Sequence, residues 1–183
     1  MTGMATGSER RAHETTPLPI QQCSIRIDKE DIKFSAGHFT LFADGARERL
    51  HGHNFKVAAV ISTRVTAHGM AFDYNIIKRA LRSLCEELDE YVLIPTRAPS
   101  LAVSTVGRSV VVVFGEDEFR LPADDVRLLP IRNTTVEELA AYLLNRLAGQ
   151  EAWSARWGVT EIALEVSSGP GQSAQCCWRS VGA

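Results

Sequence analysis

The sequence predicts an α+β domain, and three observations predict it. Period-two alternation of apolar and polar residues opens the folded part of the chain twice, at 23–39 and 53–65. Two amphipathic helical patterns follow, at 74–90 and near 133–147, and a strand–turn–strand pattern closes the chain at 160–178. Strands gathered at the two ends, with helices between them, do not alternate as a parallel βαβ chain would.

Each element has its own signal. "CSIRIDKEDIKFSAGHF" reads as a strand, and after a loop containing "FADGARER" the run "HNFKVAAVISTRV" reads as a second. Asp73 is a good N-cap for a first helix from Tyr74 to Glu90, with Ile76, Ile77, Ala80, Leu81, Leu84, Cys85 and Leu88 at helical spacing. Thr135 and Glu138 stand three apart as a capping box should, and Leu139, Tyr142, Leu143 and Leu147 give the second helix its apolar stripe. Between the helices, "LAVSTVGRSVVVVFGEDEFRLP" is strand-like and broken by "VGRS" and "GEDE", so a peripheral hairpin with a further extension is expected within about 97–130. "TEIALEVSSGPGQSAQCCW" reads as strand, Gly/Pro turn and strand.

Residues 1–20 are polar and without periodicity, and a flexible tail is expected there, ahead of a single domain over 21–183. With 183 residues, 45% of them hydrophobic, one core is affordable and two are not. Twenty basic against 22 acidic residues leave a net charge of −2, which argues against nucleic acid and for a small-molecule partner. No apolar run approaches the roughly 20 residues a bilayer demands, and the N-terminus has no apolar secretion core, so no membrane partner and a cytoplasmic location are expected. The four cysteines show no C-x-x-C pairing and read as buried or free thiols rather than disulfides.

The chemistry lies in "ERLHGHNFKV". In a strand, side chains two apart share a face, so His51 and His53 direct both imidazoles to one point. If that strand pairs with the one ending at His38, a third imidazole reaches the same point. Three nitrogen ligands and a vacant fourth position are how catalytic zinc is held, although imidazole also suits copper, iron and nickel. His13 and His68 have no such company and read as surface residues.

Taken together, "FSAGHF", "ERLHGHNFKV", "GMAFDYNIIKRAL", "LDEYVLIPT", "NTTVEELAAYLLNRL" and "PGQSA" resemble the 6-pyruvoyl-tetrahydropterin and 6-carboxy-tetrahydropterin synthase family, in order from about residue 24 to residue 178. The resemblance implies a tunnelling fold (T-fold): a four-stranded antiparallel sheet with two helices on one face, closing through its neighbours into a barrel of three subunits, commonly stacked as hexamers, with active sites at the interfaces. It implies Zn2+ on His38, His51 and His53, and substrate contacts from Thr134, Thr135 and Glu137.

The sequence also departs from that family. The family's cysteine is absent between His38 and His51, and Arg47 stands four before His51 where one branch carries it. Glu48 stands three before His51, and a branch with E-x-x-HGH uses glutamate in the cysteine's stead to release 6-hydroxymethyl-dihydropterin; otherwise Glu48 is a solvated loop carboxylate. The family's Asp-His pair falls on Asp89 and Glu90, a relay without its imidazole, which two adjacent acids replace only if one pKa is lifted. The glutamate that anchors the pterin falls on Ser168 when "PGQSA" is aligned, and on Glu165 only with a register shift of three residues.

The resulting expectation is a zinc-dependent lyase or synthase acting on a pterin or pterin-sized heterocycle, with Glu48, Asp89 and Glu90 catalytic and carbon–carbon cleavage as the leading reaction. Two alternatives stand beside it. One is recruitment of the scaffold to amine–aldehyde condensation and ring closure on a non-pterin substrate; the other is a non-catalytic metal-binding oligomer.

Overall fold

A computed structural model describes residues 21–150 and 153–180; the tail expected over 1–20, with His13, lies outside the described residues. Strands β1 (Gln22–Ile27), β2 (Lys33–His38) and β3 (His51–Arg64) come first, then α1 (Asn75–Glu86) and β4 (Tyr91–Pro95). Strands β5 (Ala102–Val106), β6 (Ser109–Phe114) and β7 (Asp117–Pro122) follow, then β8 (Val126–Leu129), α2 (Val136–Gln150), α3 (Trp153–Trp157), β9 (Glu161–Gly169) and β10 (Gln172–Arg179). The main sheet runs β10-β9-β3-β2-β4-β8, with β1 also on β3.

The first expected strand is two strands in line along one edge of β3. β1 pairs with its far half, Gln22 opposite Arg64, and β2 with its near half, His38 opposite His51. The charged run Asp28–Asp31 causes the break: Lys56 on β3 binds Asp28 at 3.0 Å and Glu30 at 3.2 Å, and Lys56 and Arg26 hold the Asp28 carboxyl below its ordinary range. Counted as one, this broken strand with β3, β9 and β10 is the expected four-stranded antiparallel sheet. The parallel pairs β2–β4 and β4–β8 extend it, which the alternation did not disclose.

Helix α1 is shorter than expected, ending at Glu86 rather than Glu90, because the chain must turn to enter β4. Glu90 makes that turn at φ 62° and is the one described non-glycine residue with positive φ. Its N–H donates to the Ser35 carbonyl at 2.7 Å, while the Ser35 N–H donates to Asp89 Oδ1 at 2.7 Å, so the corner is fastened to β2. At the other end the N-cap is Tyr74 rather than the expected Asp73, and Asp73, one residue earlier, accepts from the Asn75 N–H at 3.0 Å. The capping box of α2 is half made: the Thr135 hydroxyl accepts from the Glu138 N–H, but the Glu138 carboxylate turns to Arg132. Helix α3 was not evident in the sequence; its buried Trp153 donates its indole N–H to the Leu147 carbonyl at 2.9 Å.

Two apolar clusters hold the domain. The larger joins one face of the main sheet (Phe34, Phe55, Val57, Ile61, Leu164, Val166) to α1 and α2 through Ile77, Leu81, Leu139 and Leu143. Full burial of each such side chain contributes about 1.5–3 kcal/mol. The smaller joins Phe39, Ile94 and Val126 to Val110 and Val112 of a separate antiparallel sheet, β5-β6-β7, where one hairpin with an extension was expected. Gly107 and Gly115 turn that sheet at φ 62° and 59°, values that favour glycine. All four cysteines are free. Among the described residues, no helix is long and apolar enough to cross a membrane.

Candidate metal centre

The inner face of β3 carries Phe55, Val57, Ala59 and Ile61 into the core, and the same period of two places His51 and His53 where the strand leaves it. β2 contributes Phe34, Ala36 and His38 to that face, and the antiparallel register sets His38 opposite His51 and the small Ala36 opposite His53. One ligand atom from each of the three histidines lies within 4.8 Å of the others. The rings stand 4.7 Å (His38–His51), 5.2 Å (His38–His53) and 4.8 Å (His51–His53) apart between centroids.

The hydrogen bonds around the rings turn the right nitrogens inward. His38 Nδ1–H donates to the Thr134 carbonyl at 2.9 Å, and His51 Nδ1–H donates to the Arg49 carbonyl at 2.7 Å. Each bond assigns the proton to Nδ1 and leaves the Nε2 lone pair free, the usual support of a metal-binding imidazole. His51 Nε2 and His53 Nε2 come within 3.1 Å, and His38 Nε2 is buried with no hydrogen-bond partner. A buried, unpartnered nitrogen beside two converging ones fits a cation. Burial, and then the neighbouring His51, lower the His38 pKa, which favours the neutral ring that binds a metal.

A cavity of about 360 Å³ opens beside two of the three rings, lined among others by His38, His53, Thr134, Thr135, Glu137 and Ser168. Glu48 also lines it. Its N–H donates to the Thr40 carbonyl at 2.9 Å, and its Oε2 accepts from the Thr40 N–H at 3.1 Å. Hydrogen bonding to Thr40 holds the Glu48 carboxyl below its ordinary range, against the opposing effect of burial. None of the four cysteines lines it: the Cys176 thiol donates to the Glu137 backbone carbonyl at 3.8 Å, and burial pushes the Cys85 thiol up to about 12.

The structure therefore brings together His38, His51, His53, Glu48, Thr134, Thr135, Glu137 and Ser168. It does not bring in Glu165, which is opposite Ala58 on the other face of β9 and lines a different hollow with Lys56 and Ser167. Asp89 and Glu90 do not line that cavity: Asp89 is engaged with Ser35, and Glu90 lines a second depression, which His53, Asn54 and Val92 also line. Sequence reasoning missed Thr40, Phe42, Phe55, Gln172 and Ser173, which also line the cavity. Phe55 had a signal, being two residues beyond His53. Gln172 and Ser173 had one in the segment "PGQSA"; Thr40 and Phe42 lie outside the alternation of β3 and had none.

Comparison with known proteins agrees with this geometry. The sequence profile of the 6-pyruvoyl tetrahydropterin synthase family matches residues 26–176. A Methanocaldococcus jannaschii protein, provisionally named 6-carboxy-5,6,7,8-tetrahydropterin synthase, is 28% identical over 149 residues, covering 81% of this chain and 90% of that one. The solved 6-pyruvoyl tetrahydropterin synthase of Plasmodium vivax superposes with a TM-score of 0.83 at 26% identity, over 87% of this chain and 99% of that one. Two further structures of the Plasmodium vivax enzyme, each at 25% identity with a TM-score of 0.82 over 87% of this chain and 99% of theirs, carry cysteine or alanine in place of a glutamate described as a catalytic residue. The histidine-bearing sheet, the two helices behind it and the matched span make this chain a tunnelling-fold member of the 6-pyruvoyl tetrahydropterin synthase family.

Proposed function

We propose that this chain is a zinc-dependent pterin side-chain lyase in which Glu48 is the base. The observation that carries the reading is the meeting of the Glu48 carboxylate with His38 and His53 in one cavity that no cysteine lines. The Plasmodium vivax relatives, with a glutamate described as catalytic, support a carboxylate in that role. The three-imidazole donor set, borderline in softness as zinc is, suits zinc.

His38, His51 and His53 would hold the metal, which when bound supplies Lewis acidity toward a side-chain oxygen of the substrate. Thr134 and the Arg49 carbonyl keep two of the imidazoles in the binding tautomer. Glu48, ionised at neutral pH, takes the proton from the hydroxyl on the second side-chain carbon. The bond between the first and second side-chain carbons then breaks, and its electron pair passes into the conjugated ring imine. That pair returns to the first carbon with the proton from Glu48, leaving a 6-hydroxymethyl pterin and an aldehyde. Thr134, Thr135 and Glu137 line the wall where the heterocycle would bind. Asp89 and Glu90 would enter the reaction only from a neighbouring copy, as the interfacial sites of a trimer or hexamer require.

Incubation of the zinc-loaded protein with dihydroneopterin triphosphate, with products identified by mass spectrometry, tests the reading. It predicts 6-hydroxymethyl-dihydropterin and an aldehyde. A 6-pyruvoyl or 6-carboxy product contradicts it.

One observation favours a second reading. With Ser168 in the cavity and Glu165 on the opposite face, β9 offers no carboxylate to the guanidine-like edge of a pterin. A heterocycle without that edge, undergoing condensation and ring closure, would not need one. Turnover of no pterin would favour this reading.

A further inference from the structure

The sheet β5-β6-β7 takes no part in the metal centre as described, yet it is bound to the loop that carries Glu48. That loop is a tight hairpin: Leu41 bridges Arg47, the Phe42 N–H donates to the Ala46 carbonyl at 2.9 Å, and Gly45 turns the chain at φ 84°. Its first arm is fastened from outside by Asn133, which accepts from the Leu41 N–H at 3.0 Å and donates to the Leu41 carbonyl at 2.9 Å. Its second arm is fastened by Arg47. Arg47 and Glu48 are adjacent in an extended arm, so their side chains leave opposite sides, one toward the cavity and one toward β5-β6-β7.

The Arg47 contacts join three things at once. Nη1 donates to the Glu48 carbonyl at 2.9 Å, and Nη2 meets Asp117 Oδ2 at 2.6 Å. The guanidinium carbon lies 4.6 Å from the ring centroid of Phe119, with Phe39 and Phe114 at 5.9 and 6.0 Å. Phe39 follows the ligand His38 directly and stacks on Phe119, with centroids 5.5 Å apart and planes 14° apart. The Arg47 side chain is only 19% exposed, and its Nε is buried with no hydrogen-bond partner. A buried, unsatisfied guanidinium donor is costly. An ordinary surface arginine would swing it into water, so the place of the fork is set by its other contacts.

We propose that β5-β6-β7 is a positioning element of the catalytic site, and that Arg47 is the positioning residue through which it holds Glu48. The planar fork matters more than the charge. Lysine at 47 keeps a cation over Phe119 and reaches Asp117, but a single ammonium does not replace two donors held in one plane on an acid and on the Glu48 carbonyl. Only a small displacement is needed, because misplacing a catalytic group by about 1 Å costs on the order of a hundredfold in rate.

The proposal rests on the reading of Glu48 as base, and its test separates the two. In the zinc-loaded full chain, Arg47→Met is expected to lower kcat about tenfold to a hundredfold, with KM and metal per chain within about twofold of native. Arg47→Lys is expected to restore the melting temperature and to leave kcat about tenfold low or worse. Adding Arg47→Met to Glu48→Gln is expected to cost nothing further, as for two residues acting through one group. Amide hydrogen exchange, which needs no substrate, is expected to quicken at 40–48 in Arg47→Met while β3 stays protected. Unchanged kcat with native exchange at 40–48, recovery of kcat in Arg47→Lys, or losses that multiply in the double variant would each overturn the proposal. If Glu48→Gln keeps native turnover, or no pterin is turned over, the function reading fails, and the exchange result alone decides whether Arg47 positions the loop.

Discussion

The imidazole of His38 donates to the backbone carbonyl of Thr134 across 96 residues of chain, at 2.9 Å. This bond fastens the end of β2 to the start of α2 and fixes the ring that presents a bare Nε2 to the other two histidines. Thr134 repeats the tie with its own hydroxyl, which donates to the Phe39 carbonyl at 2.6 Å, and it is completely buried. Thr134→Val keeps the shape and removes only that donor, leaving the carbonyl unpaired. The expected loss is about 1–3 kcal/mol, read as a lower denaturant midpoint with an unchanged slope. A native midpoint would mean that water replaces the hydroxyl.

The three imidazoles should behave as one ligand set. Protein purified without chelator is expected to carry about one zinc per chain, measured by plasma emission, and His51→Ala to lose it, because two nitrogens hold a cation far less well than three. Retention of a full complement by His51→Ala would place the metal elsewhere.

The His38 pKa gives the metal-free protein a pH dependence of defined sign. Its folded value is lowered by burial and by His51 below the ordinary 6.5. Between those values the unfolded chain holds a proton that the folded chain does not, so stability rises with pH there and is lost as pH falls below about 6.5 toward the folded value. Unfolding of the chelator-treated protein at a series of pH values should show this decline, and His38→Gln should show less of it. An equal slope in both would remove His38 as the cause.

Ser168 lines the histidine cavity, and under the proposed function it stands where a carboxylate would meet the edge of a pterin. Ser168→Glu is expected to tighten binding of a pterin analogue at least about tenfold in a fluorescence titration, since charge-assisted hydrogen bonds contribute about 1.5–3 kcal/mol. Unchanged affinity would mean that the ring edge faces another wall.

How far the sequence disclosed this site depends on the kind of signal each residue left. His51 and His53 were legible because strand periodicity puts alternate residues on one face whatever the tertiary context, and His38 because its strand pairs with theirs. The sheet and both long helices were legible for the same reason. The split of the first strand was marked, since the apolar alternation changes phase across the charged run, from Ile25 and Ile27 to Ile32 and Phe34, but only Lys56, far along the chain, shows what that run binds. The parallel additions β4 and β8 depend on the corner at Glu90, where a non-glycine residue at positive φ carries no sequence mark. Glu165 and Ser168 are three apart, so they face opposite sides of a strand, and Ser168 continues the apolar series Ile162, Leu164 and Val166 on the core face that the histidines share. Arg47 was legible only as the residue standing where a cysteine was sought. Its partners lie some 70 residues on, in a segment that read as peripheral.

The claim that most of this account depends on is that Glu48 moves the proton beside a histidine-held metal. Measuring kcat and bound zinc together in Glu48→Gln tests it most directly, because glutamine keeps the shape and removes only the base. The account predicts zinc per chain equal to native and kcat lower by about a hundredfold to ten-thousandfold, the range general-base catalysis supplies. Native kcat at full zinc occupancy would contradict it.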